Sequence, residues 1–190
     1  MRARQTCPGL HPRPLPRLWL LTDKRNDAAL EQTIERLPRG SGIVFRHYHL
    51  PPAERRARFA EVARIARVRD HVVCLAGSPR LARAWGADGF YGPPHRARRA
   101  ANLLRLATAH SLRELGAARR AVAHVVLLSP VFATRSHPDA APLGVVRFRL
   151  LARQSAVPVI ALGGMNPRTA AHLQWGRWGA IDGRATRSRR

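Results

Sequence analysis

Eight short apolar runs, each followed by a helical pattern, predict a (β/α)8 (TIM) barrel. Strands alternating with helices argue for a parallel sheet with helices outside, and eight is the strand count that closes such a sheet. A second observation is a pair of loops late in the chain, Ser129 to His137 and Gly163 to Asn166, which carry the hydroxyls, cations and glycines that suit an anion. Barrels of this kind commonly hold a phosphate beside the loops after strands 7 and 8. The competing architecture is the doubly wound open sheet, but nothing in the chain matches a dinucleotide fingerprint. At 190 residues the chain is one domain, shorter than most barrels of this type, so some part of the barrel must be economised.

Residues 1–16 are rich in proline and arginine without any period and read as a disordered lead-in to a single barrel domain over 17–190. The first strand is Leu18–Thr22, with Asp23 at its carboxyl end. Asp27–Leu37 follows as a helix stopped by Pro38 and Gly40. Gly42–Phe45 is the second strand, ending in Arg46, His47, Tyr48 and His49; the two histidines are expected to point to opposite sides. Pro51-Pro52 opens a helix to Arg67 whose apolar stripe is Phe59, Val62, Ala63 and Ala66.

The third strand is His71–Leu75 and leads through Gly77-Ser78-Pro79 into a short helix ending near Gly86. Gly89–Tyr91 is the fourth strand, and a helix after Pro93-Pro94 runs through Ala101. Leu103–Ala109 is the fifth, ending at His110 and Ser111, with a helix over Leu112–Arg120. Val122–Leu128 is a fully buried sixth strand. A helix near Val145–Gln154 and a seventh strand, Pro158–Leu162, come next, and the double glycine there lets the backbone approach a ligand closely. The N–H groups opening the helix Pro167–Gln174 favour an oxyanion. Gly179–Asp182 is the last strand, and the short arginine-rich tail beyond it cannot make an amphipathic eighth helix. The outer side of that strand then needs another cover: residues 10–15 folded back along the outer surface, or the same patch of a second subunit in a weak homodimer.

Formal net charge is +23, and Lys24 is the sole lysine among the 34 basic residues. The arginines recur through the helices instead of forming one block, so nonspecific polyanion affinity is the most their distribution supports. Cys7 and Cys74 have unlike settings and do not form a pair, which fits a reducing cytoplasm. No window approaches the roughly 18 apolar residues of a membrane span, and Leu18–Leu21 is too short for a signal segment. His71, His124 and His172 read as scaffold, and no histidine spacing suggests a metal site.

SPVFATRSHPDAAPLG from Ser129 followed by VPVIALGGMNP from Val157 resembles the thiamine phosphate synthase and thiazole tautomerase family, with weaker echoes in LWLLTD (Leu18–Asp23) and GADGFYG (Gly86–Gly92). The resemblance implies a TIM barrel and a transferase of thiamine biosynthesis that joins a pyrimidine diphosphate to a thiazole phosphate. It places Thr134, Arg135, Ser136, Gly163, Gly164 and Thr108 on substrate and phosphate, with Arg46 and His137 as cations of the catalytic centre. Magnesium is the family's cofactor, but its carboxylates fall on Ala76-Gly77 and on Pro94-His95-Arg96, so no metal ligand is assigned; Arg96 could neutralise charge instead. Tautomerases of the same family use a histidine near strand 5, which corresponds to His110. The competing role for His110 is to cap its strand by bonding a backbone carbonyl. Two alternatives therefore accompany the synthase: a metal-independent tautomerase or isomerase using His110, and an inactive barrel that binds polyanions.

Overall fold

The computed structural model describes residues 14–99, 102–136 and 139–181, with the backbone alone at 97–99. Eight parallel strands close into a barrel in sequence order, the first pairing with the last. They are β1 (Leu18–Leu21), β2 (Gly42–Phe45), β3 (Val72–Ala76), β4 (Gly89–Gly92), β5 (Leu104–Ala109), β6 (Val125–Leu128), β7 (Val159–Ala161) and β8 (Trp178–Ala180). The helices are α1 (Leu30–Arg36), α2 (Pro52–Val68), α3 (Pro79–Ala84), α4 (Leu112–Arg120), α5 (Gly144–Gln154) and α6 (Pro167–Leu173). Two connections are 3-10 helices, Lys24–Ala29 and Pro94–Arg99. The tail after residue 181, where the sequence predicts no full eighth helix, lies outside the described residues, as do His137 and Asp182.

Strand alternation sorts the core into an inside and an outside. Trp19, Leu21, Val44, Cys74, Leu104, Leu106, Leu127 and Ile160 meet in the barrel interior. Leu20, Ile43, Phe45, Val73, Leu75 and Phe90 face outward onto Ile34 of α1 and Phe59, Val62, Ala63 and Ala66 of α2. On the other flank Ala107, Val126, Leu128 and Ala161 face Leu115 of α4, Phe148 of α5 and Leu173 of α6. Each strand is thus buried on both faces, which is why the strands read as continuous apolar runs.

The interior is dominated by Trp19, fully buried, with its indole N–H donating to the Pro16 carbonyl at 3.1 Å. Gly42 on the neighbouring strand leaves room for that ring, since a Cβ there would collide with the indole. Leu15 is buried in the same interior cluster, so it fills the barrel and does not run along its outer surface. The sixth strand begins at Val125, three residues later than the apolar run suggests. Val122 is exposed with φ 57° and closes the turn after α4, its N–H donating to the Arg119 carbonyl.

Candidate active site

The loops after β6 and β7 lie against each other. Val131 N–H donates to the Leu162 carbonyl (2.8 Å) and Phe132 N–H to the Gly163 carbonyl (3.0 Å). Gly163 (φ 90°) and Gly164 (φ 63°) adopt left-handed backbone, and a Cβ on Gly164 would sit 2.6 Å from the Ala133 carbonyl oxygen. Both glycines are therefore required first by loop-to-loop packing. The helix N–H groups expected to receive an oxyanion are already used: the Asn166 side chain accepts from Arg168 N (2.9 Å) and Thr169 N (3.1 Å). Among the described residues, the N–H groups of Gly164 and Met165 just ahead of that cap meet no acceptor.

Between these loops and the end of β8 lies a cavity of about 230 Å3. Thr134, Arg135, Ser136, Gly163 and Gly164 all line it, so five of the residues singled out in the sequence converge. Another lining residue, Arg25, comes from the 3-10 turn after β1. Its guanidinium donates to Ser136 Oγ (2.8 Å) and to Asp23 Oδ1 (2.9 Å). Sequence reasoning passed over Arg25; the available signal was its position four residues beyond Leu21, the last residue of β1, on the face that carries active sites.

That turn is held on several sides. Asp23 caps it, and the buried Asn26 side chain donates to the carbonyls of Leu21 and Ile181, joining the ends of β1 and β8. Asp27 accepts from Arg58 and bonds His47 Nε2 (2.8 Å), while His47 Nδ1 meets Thr22 Oγ1 (2.7 Å). Burial pushes the His47 imidazole below its usual range, against the opposing pull of Asp27. The rings of His47 and His49 lie 5.3 Å apart, so they do not point to opposite sides. Residues two apart share a side of an extended strand, and the left-handed turn at His47 (φ 38°) tilts the rings without separating them.

Arg46, His110 and Thr108 stand outside the cavity wall. Arg46 continues the inward-facing row of β2 and pairs with Asp23 Oδ2 (3.5 Å), so one carboxylate links Arg46 to Arg25. Burial raises the Asp23 carboxyl, but hydrogen bonds from Arg25 and the charges of Arg25 and Arg46 outweigh it and hold it below the usual carboxylate range. His110 is exposed, and its Nδ1 lies 2.8 Å from the Ser129 carbonyl, which can only accept; Nδ1 therefore carries the proton and Nε2 is the basic nitrogen of the neutral ring. Thr108 is half-buried on β5 in register with Leu127. His71 and His124 are scaffold groups that accept from the backbone N–H of Ser41 and Arg105, and His172 is exposed beside Phe132.

Among the described residues, the positions where the family resemblance places the magnesium carboxylates hold none. At the end of β3, Ala76 and Gly77 offer no side-chain oxygen, and the Ala76 carbonyl accepts from Arg55 Nη2 (2.6 Å). The Arg55 guanidinium, which also donates to the Arg46 carbonyl, puts a fixed positive charge there. Arg96 is exposed on the 3-10 helix after β4. No group of three or more histidine, cysteine or acidic side chains among the described residues could hold a metal ion, and no described helix is long and apolar enough to cross a membrane.

A family model described as thiamine monophosphate synthase matches residues 18–179. A putative thiamine-phosphate synthase 2 of Aquifex aeolicus is 30% identical over 160 residues, covering 80% of this chain and 86% of that protein. A thiamine-phosphate synthase of Chloroflexus aurantiacus is 37% identical over 67 residues, 35% of this chain and 31% of that one. Among solved structures, thiamine phosphate pyrophosphorylase from Pyrococcus furiosus superposes with a TM-score of 0.74 at 26% identity, covering 87% of this chain and 85% of its own. The family match runs from the first strand of the barrel to the last, and the Aquifex relative is matched over most of its length: the chain belongs to the thiamine monophosphate synthase family.

Proposed function

We propose that this protein acts in thiamine biosynthesis by binding a thiazole phosphate in the cavity between the ends of β6, β7 and β8 and coupling it to a pyrimidine diphosphate, as a transferase of the thiamine phosphate synthase type. The observation that carries the reading is the cavity itself, where the Arg25 and Arg135 side chains, the hydroxyl residues Thr134 and Ser136 and the Gly164-Met165 segment line one small space. Its volume is below the roughly 300–1,000 Å3 of sites that swallow a drug-sized ligand, so it suits a phosphate head group with the remainder lying over the mouth. Coupling is a substitution at a carbocation-like carbon, in which positioning and neutralisation of the leaving diphosphate do most of the work. Arg46, on the far side of Asp23, supplies a cation for that second anion.

A second reading, a metal-independent tautomerase, draws support from His110: its Nδ1–H is committed to the Ser129 carbonyl, which orients Nε2 as an acid or base. The test is pyrophosphate release from the two synthase substrates, with and without magnesium, alongside calorimetric binding of thiazole phosphate alone. Release supports the synthase. Tight ester binding without release, together with proton exchange into the thiazole, moves the assignment to the tautomerase. No ester binding at all ends both.

A further inference from the structure

We infer that Arg25 is the residue by which this site reads a phosphate group: a specificity-determining cation delivered from the β1 turn, with Asp23 as its resident counter-ion. The inference rests on the cavity being the ligand site, and deepens that reading by naming the group that selects a phosphate ester over the corresponding alcohol.

Three observations carry it. Arg25 lines the cavity, and its side chain crosses from the first strand to the loop after the sixth to bond Ser136 Oγ at 2.8 Å. Because Ser136 Oγ accepts from the guanidinium, its own hydroxyl proton is left to donate, so arginine and serine together present N–H and O–H donors. The second observation is that the arginine's mount is rigid. Asn26 ties the turn to Leu21 and Ile181, and Asp27 ties it to His47 and Arg58. The guanidinium itself is held by Asp23 Oδ1 at 2.9 Å. A cation fixed before the ligand arrives loses little entropy on binding it. Third, a guanidinium is a planar fork of donors suited to phosphate oxygens, which hydroxyls alone would not tell from a neutral polar group; of the two arginines lining the cavity, Arg25 and Arg135, Arg25 is the one bonded to both Asp23 and Ser136.

The experiment compares the full chain with its Arg25→Gln and Arg25→Lys variants, measuring calorimetric affinity for thiazole phosphate, the dephosphorylated thiazole alcohol and inorganic phosphate. Arg25→Gln is expected to weaken both phosphate ligands by about 10- to 100-fold, the usual worth of a charge-assisted hydrogen bond, and to leave the alcohol unchanged. Arg25→Lys should recover part of the loss, because it restores the charge without the fork. Equal affinity of wild type and Arg25→Gln for thiazole phosphate overturns the inference and leaves the ligand reading standing. So does a parallel loss for the alcohol, which would mean that Arg25 only shapes the turn. Arg25-dependent binding of inorganic phosphate without binding of thiazole phosphate sustains the role of Arg25 and removes the thiazole. Binding of none of the three overturns both.

Discussion

The indole of Trp19 lies directly over Gly42 on the neighbouring strand, filling the space that a side chain would take. Trp19 cannot yield, because it is fully buried and its N–H is bonded to Pro16. Gly42→Ala should therefore cost about 3 kcal/mol, the upper range for overpacking a core. Gly116→Ala is the counterpart. Gly116 sits inside α4, where a new methyl meets only the flexible end of Arg120, and removing a helical glycine should gain about 0.5–1 kcal/mol. Urea denaturation of both variants checks the pair; a Gly42→Ala protein within 0.5 kcal/mol of wild type, roughly the scale of a surface change, would show that the barrel interior can adjust.

His71 should make stability depend on pH in a definite direction. It is buried, its Nδ1 accepts from Ser41 N–H (3.1 Å) and its Nε2 donates to the Ile34 carbonyl (3.1 Å), so the neutral ring is fully used and a second proton would face a donor. Burial pushes its pKa below the ordinary value of 6.5, and His47 is shifted in the same direction. The unfolded chain then binds more protons than the folded one as pH falls below about 6.5, so stability is complete above that value and declines beneath it. The denaturation midpoint should drop between pH 8 and pH 5.5, and His71→Asn, which keeps an acceptor for Ser41 without titrating, should flatten the slope. A flat wild-type profile would contradict the assignment.

What the sequence could reveal follows the range of the interactions. All eight strands were legible because each is buried on both faces and bounded by glycine, proline or polar residues. The Ser129 loop and the Gly163-Gly164 turn were legible because their chemistry is local. Boundaries failed where a single side chain decides them. Asn26, bonded to Leu21 and Ile181, draws the expected first helix into a 3-10 turn, and the left-handed Val122 delays β6. Arg25 was invisible for a different reason: its partner Ser136 is 111 positions away, and no periodicity records a contact that exists only once the barrel closes.

Magnesium should not bind stoichiometrically to the free protein. The end of β3 presents Ala76 and Gly77, neither with a side-chain oxygen, and the Ala76 carbonyl is bonded to Arg55. Arg46 is close by, its own carbonyl held by the same guanidinium, so the local charge is positive. A hard divalent cation seeks several oxygen ligands, usually with carboxylates among them. Calorimetric titration with magnesium chloride in the absence of substrate should give only dilution heats. Saturable binding of one ion per chain would overturn the placement of the family's metal positions on Ala76, Gly77 and Arg96.

Gly164→Val is the sharpest single change for the ligand site. Its φ of 63° is a region that a β-branched residue avoids, and the added carbons would press on the Ala133 carbonyl and on Phe132, whose Cβ lies 2.7 Å from the new atom. Relief requires the β6 and β7 loops to part, which disrupts the cavity wall that Thr134, Gly164 and Met165 share. The cost combines roughly 1–2 kcal/mol for left-handed backbone with about 1–3 kcal/mol of overpacking; the variant should be folded but less stable. Thiazole phosphate affinity should fall by about 100-fold or more, because several polar contacts are lost together. Gly176→Ala supplies the comparison: it has open space around it and lies outside the cavity lining, so both stability and binding should be unchanged. If the valine variant keeps its circular dichroism spectrum and binds the ester as tightly as wild type, the phosphate does not sit between these loops.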